Sequence, residues 1–220
     1  NGTAGGTTLV KDIVGGATGS TTPGTSEIFS AGTYLLFAAT TAASGTELWI
    51  SNGSDAGTVL LKEINAGVAS SEPNSFYPFN GMILFTATDA ATGTEIWRPE
   101  GTSGGTSLLK DINVGAGSSI GGGLGISLGY YLIFNNKAFF TANNGISEAI
   151  WATDGTTGGT TLINDPGVGV FGSILLADAA VLSNKFIFPV AGIFPERYEL
   201  WESDGTAGGT QLFKSFDGSQ

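Results

Sequence analysis

The stretch ELWISNGSDAGTVLLKEI at 47–64 returns as EIWRPEGTSGGTSLLKDI at 95–112, AIWATDGTTGGTTLIND at 149–165 and ELWESDGTAGGTQLFKSF at 199–216. Aligned on the second Gly-Thr of each turn, Thr7, Thr58, Thr106, Thr160 and Thr210 fall in register, with periods of 51, 48, 54 and 50 residues. A period of this length belongs to solenoids, propellers and other arrays, whose units bury their apolar faces only by stacking on one another.

Within a period the apolar runs are short: SFYPF, MILFTAT and TEIWR, then the turn PEGTSGG, then TSLLKDI. Alternating or continuous apolar runs of this length, broken by Gly and Asx clusters, read as strands, about four per period. Trp49 to Leu60, Trp97 to Leu108, Trp151 to Leu162 and Trp201 to Leu212 are each 11 residues apart. A fixed spacing across a Gly-rich turn is what a hairpin of constant register requires, because a slip of one residue reverses every side chain. This register sets Trp opposite Leu. It also predicts cross-strand charge pairs Glu47–Lys62, Glu95–Lys110 and Glu199–Lys214, each 15 apart. In the third unit Glu148 lies one place early and Asn164 replaces Lys, so acid and base depart together.

The reading is a single repeat domain over 1–220. It has an outer strand at 7–13 and units at about 25–64, 75–112, 124–165 and 171–216. First strands are placed near 26–31, 75–79, 128–135 and 174–182. The segment TTLVKDI at 7–13 is a fifth copy of the outermost strand, so five outer strands serve four units. A surplus edge strand either closes the ring or adds to another molecule's sheet. The first residues, NGTAGGT, fall inside the motif, as in a processed form or an excerpt.

With no Cys and no His, disulfides, thiolate zinc sites, a Cys nucleophile and the usual general base are all removed. A net charge of −11 repels nucleic acid and anionic lipid, and the eight Lys and Arg are scattered. Two uncharged stretches, 28–46 and 112–136, are broken by Gly, Ser, Thr and Asn and read as strands and loops, not as membrane spans.

The phrase Glu-Leu-Trp-x-Ser-Asp-Gly-Thr-x-x-Gly-Thr, best kept at 199–210, resembles the ELW/DGT repeats of secreted and cell-surface bacterial proteins. Its turn is similar to the Asp-box of sialidase-like propellers, which joins the third and fourth strands of a blade. The resemblance implies an all-β fold, a β-propeller of four-stranded antiparallel blades, most simply four. It also implies an extracellular or cell-surface location and a structural role for Asp154 and Asp204, with Asn52 and Glu100 as departures.

The repeated Glu residues have predicted Lys partners, which suits structure better than acid catalysis. A sialidase would need an arginine cluster, and only Arg98 and Arg197 exist. No cofactor is expected; calcium is the one cation the acidic composition leaves open, although no DxDxDG loop is present. The loop GGGLG at 121–125 lacks the Lys-Ser/Thr of a phosphate loop. Phe76, Tyr77, Tyr130, Tyr131 and Phe171, in or beside the links between units, are the candidate ligand-binding residues, with core packing favoured. The leading expectation is a non-catalytic structural or adhesive module acting through protein–protein association with other chains or with itself by edge strands. The alternative is a lectin-like carbohydrate binder.

Overall fold

The computed structural model describes residues 2–16, 19–21, 27–121, 131–167, 173–192 and 197–216. These form four antiparallel sheets that follow one another along the chain. Sheet 1 contains β1 (Ile28–Ser30), β2 (Leu35–Thr41), β3 (Gly45–Ser51) and β4 (Thr58–Lys62). Sheet 2 contains β5 (Asn74–Phe79), β6 (Met82–Asp89), β7 (Gly93–Arg98) and β8 (Ser107–Leu108). Sheet 3 contains β9 (Leu132–Phe134), β10 (Lys137–Asn143), β11 (Glu148–Thr153) and β12 (Thr161–Asn164). Sheet 4 contains β13 (Ser173–Ile174), β14 (Ala180–Val181), β15 (Phe186–Gly192), β16 (Arg197–Ser203) and β17 (Thr210–Ser215). Among the described residues there is no α-helix, only the single 3-10 turns Ala4–Gly6 and Leu176–Asp178. Among these residues no helix is long and apolar enough to cross a membrane.

Each second strand is a near-continuous run of apolar and β-branched residues, such as LLFAATT in β2 and MILFTATD in β6. Such a run suits a strand covered on both faces. Neighbours Leu36 and Phe37, which point to opposite faces, are both buried. One row crosses every sheet: Phe37–Trp49–Leu60, Phe85–Trp97–Leu108, Phe140–Trp151–Leu162 and Phe188–Trp201–Leu212 are cross-strand partners. The Trp–Leu register read from the 11-residue spacing therefore holds in all four sheets; the phenylalanine across from each Trp was not foreseen.

Among the described residues the predicted Glu47–Lys62 and Glu95–Lys110 pairs do not form. In sheets 1, 3 and 4 the register shifts just before the Trp, so that Lys62 faces Leu48, Asn164 faces Ile150 and Lys214 faces Leu200. Such a bulge sets two residues of the outer strand against one on its partner and turns the extra one to the other face. The residue turned inward is Leu61 in sheet 1 and Ile163 in sheet 3, both buried, and Leu109, just past the β7–β8 ladder, is buried at the matching place in sheet 2.

Each sheet thus has a head row, containing Phe and Trp, that faces the preceding sheet, and a tail row that faces the next. The tail row of sheet 1 (Leu36, Leu48, Leu61, Ile64) packs with Phe85 and Trp97 of sheet 2 in one hydrophobic cluster. That of sheet 2 (Leu84, Ile96, Leu109, Ile112) joins Phe140 and Trp151. That of sheet 3 (Phe139, Ile150, Ile163) joins Phe188, with Trp201 against it. The core is therefore three successive junctions.

The chain between sheets crosses directly over the β2–β3 and β6–β7 hairpin turns. Gly45 (φ 65°) and Gly93 (φ 69°) permit this, since a Cβ would lie 2.8 Å from the Ala69 carbonyl oxygen in the first case and 2.6 Å from the Gly117 carbonyl carbon in the second. Sheet 4 departs from the expected first strand near 174–182. There β13 and β14 both pair β15 and flank the Leu176–Asp178 turn, which buries Leu176.

Replacing Trp97 by Ala removes the centre of one junction. It is expected to lower unfolding free energy by about 3–5 kcal/mol in urea titrations, whereas Leu60→Ala, at a position 37% exposed, is expected to cost about 1 kcal/mol or less.

Candidate functional site

The repeated turn between third and fourth strands is closed by side-chain hydrogen bonds. In sheet 4, Thr206 donates from its amide (2.9 Å) and its hydroxyl (2.7 Å) to Asp204 Oδ1. Gly209 N donates to Thr206 Oγ1 at 3.0 Å, and Ser203 Oγ meets Thr210 Oγ1 at 2.7 Å. The same set recurs around Asp154 in sheet 3. It recurs around Asn52 in sheet 1, where Oδ1 accepts from the Ser54 amide and hydroxyl. The turn needs a short acceptor, not a charge. Glu100 in sheet 2 is too long and instead pairs with Arg98, leaving Thr102 to hold Gly105 and Thr106. The Thr156 and Thr206 hydroxyls hold the Asp154 and Asp204 carboxyls below the usual range.

Glu47, Glu95 and Glu148 are buried without a lysine. The Glu47 carboxylate accepts hydrogen bonds from the amides of Ile64 (2.7 Å) and Asn65 (3.3 Å) and from the Ser71 hydroxyl (2.6 Å). Glu95 accepts from the Ile112 amide (3.4 Å), the Ser119 amide (3.0 Å) and the Ser119 hydroxyl. Glu148, one place earlier in its unit, accepts from the Ile174 amide at 2.8 Å. Each acid therefore clamps the chain that leads into the next sheet. The clamp is extended by Ser71 N and Ser119 N donating to Thr46 O and Thr94 O (2.9 and 3.1 Å). In turn, Ser71 O and Ser119 O accept from Thr88 N and Asn143 N of the following sheet at 2.8 Å each. Glu199 accepts instead from Trp201 Nε1 at 2.7 Å.

Burial pushes all three clamp carboxyls up, Glu95 to about 7, against the opposing pull of the donors. This is the reverse of the depression that a lysine partner would have produced. In sheet 1 the bulge separates the two side chains by setting Lys62 across from Leu48.

The lysines face forward along the chain. Lys62 Nζ donates to Ser103 O at 3.5 Å and Lys110 Nζ to Thr160 O at 3.0 Å, both in the following sheet's turn region, and Lys110 also lies over the Trp151 ring at 5.8 Å. Lys11 makes the equivalent contact on sheet 1, reaching Asp55 O at 3.1 Å and Asp55 Oδ1 at 3.0 Å.

Of the aromatic candidates, Phe76 is stacked between Phe29 and Phe85 at 5.9 and 5.5 Å. Tyr131 is 7% exposed, packed against Tyr77 at 4.5 Å and Phe140 at 6.0 Å. These rings are packed into junctions, because the first strand of each unit lies within them. Tyr130 and Phe171 lie outside the described residues. Two clefts of about 220 and 170 Å³, beside Arg98 and Gly155 and beside Tyr34 and Asn52, are smaller than a usual ligand site. No group of three metal-ligating side chains occurs among the described residues.

Sheet 4 presents the same tail row as the others, Ile187, Leu200, Phe213 and Phe216, but no sheet packs on it within the described hydrophobic clusters. Phe213 is 55% and Phe216 54% exposed, where Leu61 and Ile64 are 4% and 5%. Lys185 Nζ, paired with Glu202, lies over the Phe213 ring at 5.9 Å.

No family model and no curated protein matches the chain. Among solved structures it is similar to a puromycin hydrolase at 15% identity and a TM-score of 0.47, over 86% of this chain and 28% of that one. A prolyl endopeptidase aligns at 11% identity and 0.44, over 83% of this chain and 24% of that one. The endo-arabinase of Bacteroides thetaiotaomicron aligns at 12% identity and 0.36, over 88% of this chain and 80% of that one. The chain spans about a quarter of the length of the first two. Likeness at this distance brings no activity to this chain.

The clamp gives a signed pH dependence. Glu95 binds its proton more tightly folded than unfolded, so its contribution is full below about 4.5 and is lost as pH rises through about 7. The difference between these values corresponds to about 3 kcal/mol at most. Urea titrations from pH 4.5 to 8 are expected to show falling stability, and Glu95→Gln is expected to flatten the curve. Superimposable slopes for the two proteins would contradict the clamp. Asp204→Asn is expected to be nearly neutral, and Asp204→Ala to lower the urea midpoint through loss of the acceptor.

Proposed function

We propose that the four sheets are successive blades of a β-propeller-type array. The chain is a non-catalytic structural or adhesive module of the extracellular or cell-surface space and works through protein–protein association. The observation that carries this reading is the exposure of Phe213 and Phe216 in the tail row of sheet 4, because the matching Leu61 and Ile64 of sheet 1 are buried against the next sheet. A contiguous apolar face at this position is a contact surface in waiting.

Two further observations support it. The acids that a hydrolase would draw on are occupied: Glu47, Glu95 and Glu148 hold inter-sheet links, and Asp154 and Asp204 hold turns. The lectin-like alternative needs an open aromatic face, and Phe76 and Tyr131 offer none. The ELW/DGT resemblance is what points to the cell exterior.

Sedimentation velocity over a concentration series tests the reading. The chain is expected to gain mass as concentration rises, and the double substitution Phe213→Asp, Phe216→Asp is expected to weaken association by about 100-fold, from the loss of two half-buried rings. A chain that stays monomeric throughout and binds an oligosaccharide on a glycan array would contradict it.

A further inference from the structure

The head row of sheet 1 is not bare. Ile13 packs against Phe37, Ala39 and Trp49, Lys11 reaches Asp55, and Ser20 O accepts from Thr40 N at 2.7 Å. Each contact has a counterpart at the junctions inside the chain. Ile13 stands at the repeat position of Ile64 and Ile112, Lys11 at that of Lys62 and Lys110, and Ser20 at that of Ser71 and Ser119. Residues 7–13 therefore lie on sheet 1 as the outer strand of a preceding sheet would lie. They do so as unpaired chain: none of them is in a strand, and Leu9 and Val10 are 79% and 44% exposed.

At the other end, β17 is the same outer strand with the rest of its sheet in place. Its Lys214 stands at the Lys11 position, Phe213 at that of Val10, and Phe216 at that of Ile13. In the tail row of sheet 4, Phe213 and Phe216 are exposed beside half-buried Ile187 and Leu200, and among the described residues the head row of sheet 1 is covered by the segment around Ile13.

We propose, resting on the association reading above, that the tail row of sheet 4 docks on the head row of sheet 1 in a second copy of the chain. Residues 7–13 are then a built-in cap that this docking displaces. The occupant is set by the three junctions already present, each of which joins one tail row to one head row. It is set also by the footprint of the cap, which shows that the head row of sheet 1 accepts an outer strand of this repeat. In the docked pair Lys214 takes the place of Lys11 at Asp55, Phe216 takes that of Ile13 over Trp49, and Lys185 moves off Phe213. The contact is heterologous: each added copy leaves one head and one tail free, so assembly grows as an open row unless it closes on itself. Both partners carry a net charge of −11, so salt is expected to strengthen docking by screening their repulsion.

The cap makes a prediction that a merely sticky surface does not. Ile13→Asp in the full chain places a charge against Trp49 and releases the cap. Sedimentation velocity is expected to show association strengthened by about ten-fold, the gain from removing a competing state that occupies the site most of the time. Lys11→Glu, which breaks only the exposed pair with Asp55, is expected to move association the same way and serves if Ile13→Asp disturbs the fold, as judged by tryptophan near-ultraviolet circular dichroism. Adding Phe213→Asp to either variant is expected to return it to monomer. Mixing Ile13→Asp, Phe213→Asp chains with unsubstituted chains is expected to place the doubly substituted copy at one end of each row, where its head holds one unsubstituted tail and its own tail takes no further copy. Association of Ile13→Asp that survives Phe213→Asp would overturn the head-to-tail contact while leaving an association role standing at another surface. A monomer that becomes less compact on Phe213→Asp would place the contact within one chain and overturn the second copy as occupant. Monomers in every variant would overturn both the inference and the reading it rests on.

Discussion

The junction between consecutive sheets is the constraint on which everything else depends. A lone four-stranded sheet of this composition has two apolar faces and cannot keep both from water. In sheets 1 and 3 the bulge before the Trp favours stacking by turning one more apolar side chain, Leu61 or Ile163, toward the next sheet, and Leu109 is buried at the matching place in sheet 2. Without that shift the outer strand would alternate regularly and its lysine would sit beside the glutamate. With it, the outer strand gives the tail row its third residue and the glutamate is left inside.

A buried carboxylate is costly unless its oxygens are satisfied. Here they are satisfied by the chain that runs on to the next sheet, so the acid specifies the path of the link as well as the packing of the sheet. The Lys of the same unit reaches forward to the following turn, and the link's Ser71 or Ser119 bridges Thr46 or Thr94 to the next second strand. Polar and apolar parts of the repeat thus serve one end, the placement of sheet after sheet.

Much of this was legible in the sequence. The 11-residue Trp–Leu spacing gave the register in all four sheets, because a hairpin of fixed length admits only one. The same arithmetic carried two steps further failed for Glu47 and Lys62, since a bulge leaves no mark in residue spacing. The inner clamp had a signal that went unread: KEINAGVASS at 62–71, KDINVGAGSS at 110–119 and KDIVGGATGS at 11–20 repeat the link itself, with Ser at fixed places. The phenylalanine opposite each Trp was hidden because second strands are apolar throughout and single out no position. For Phe76 and Tyr131, which border the links, core packing is the favoured sequence reading, and Phe85 and Phe140 hold their rings in the junctions.

Amide hydrogen exchange at the links tests the central claim most directly, because an ordinary surface loop leaves its N–H groups to water. The amides of Ile64, Ser71 and Ser119, held by Glu47, Thr46 O and Glu95, are expected to exchange as slowly as those in the middle of β3 and β7. Exchange of these three at rates typical of exposed loops, with β3 and β7 still protected, would contradict it.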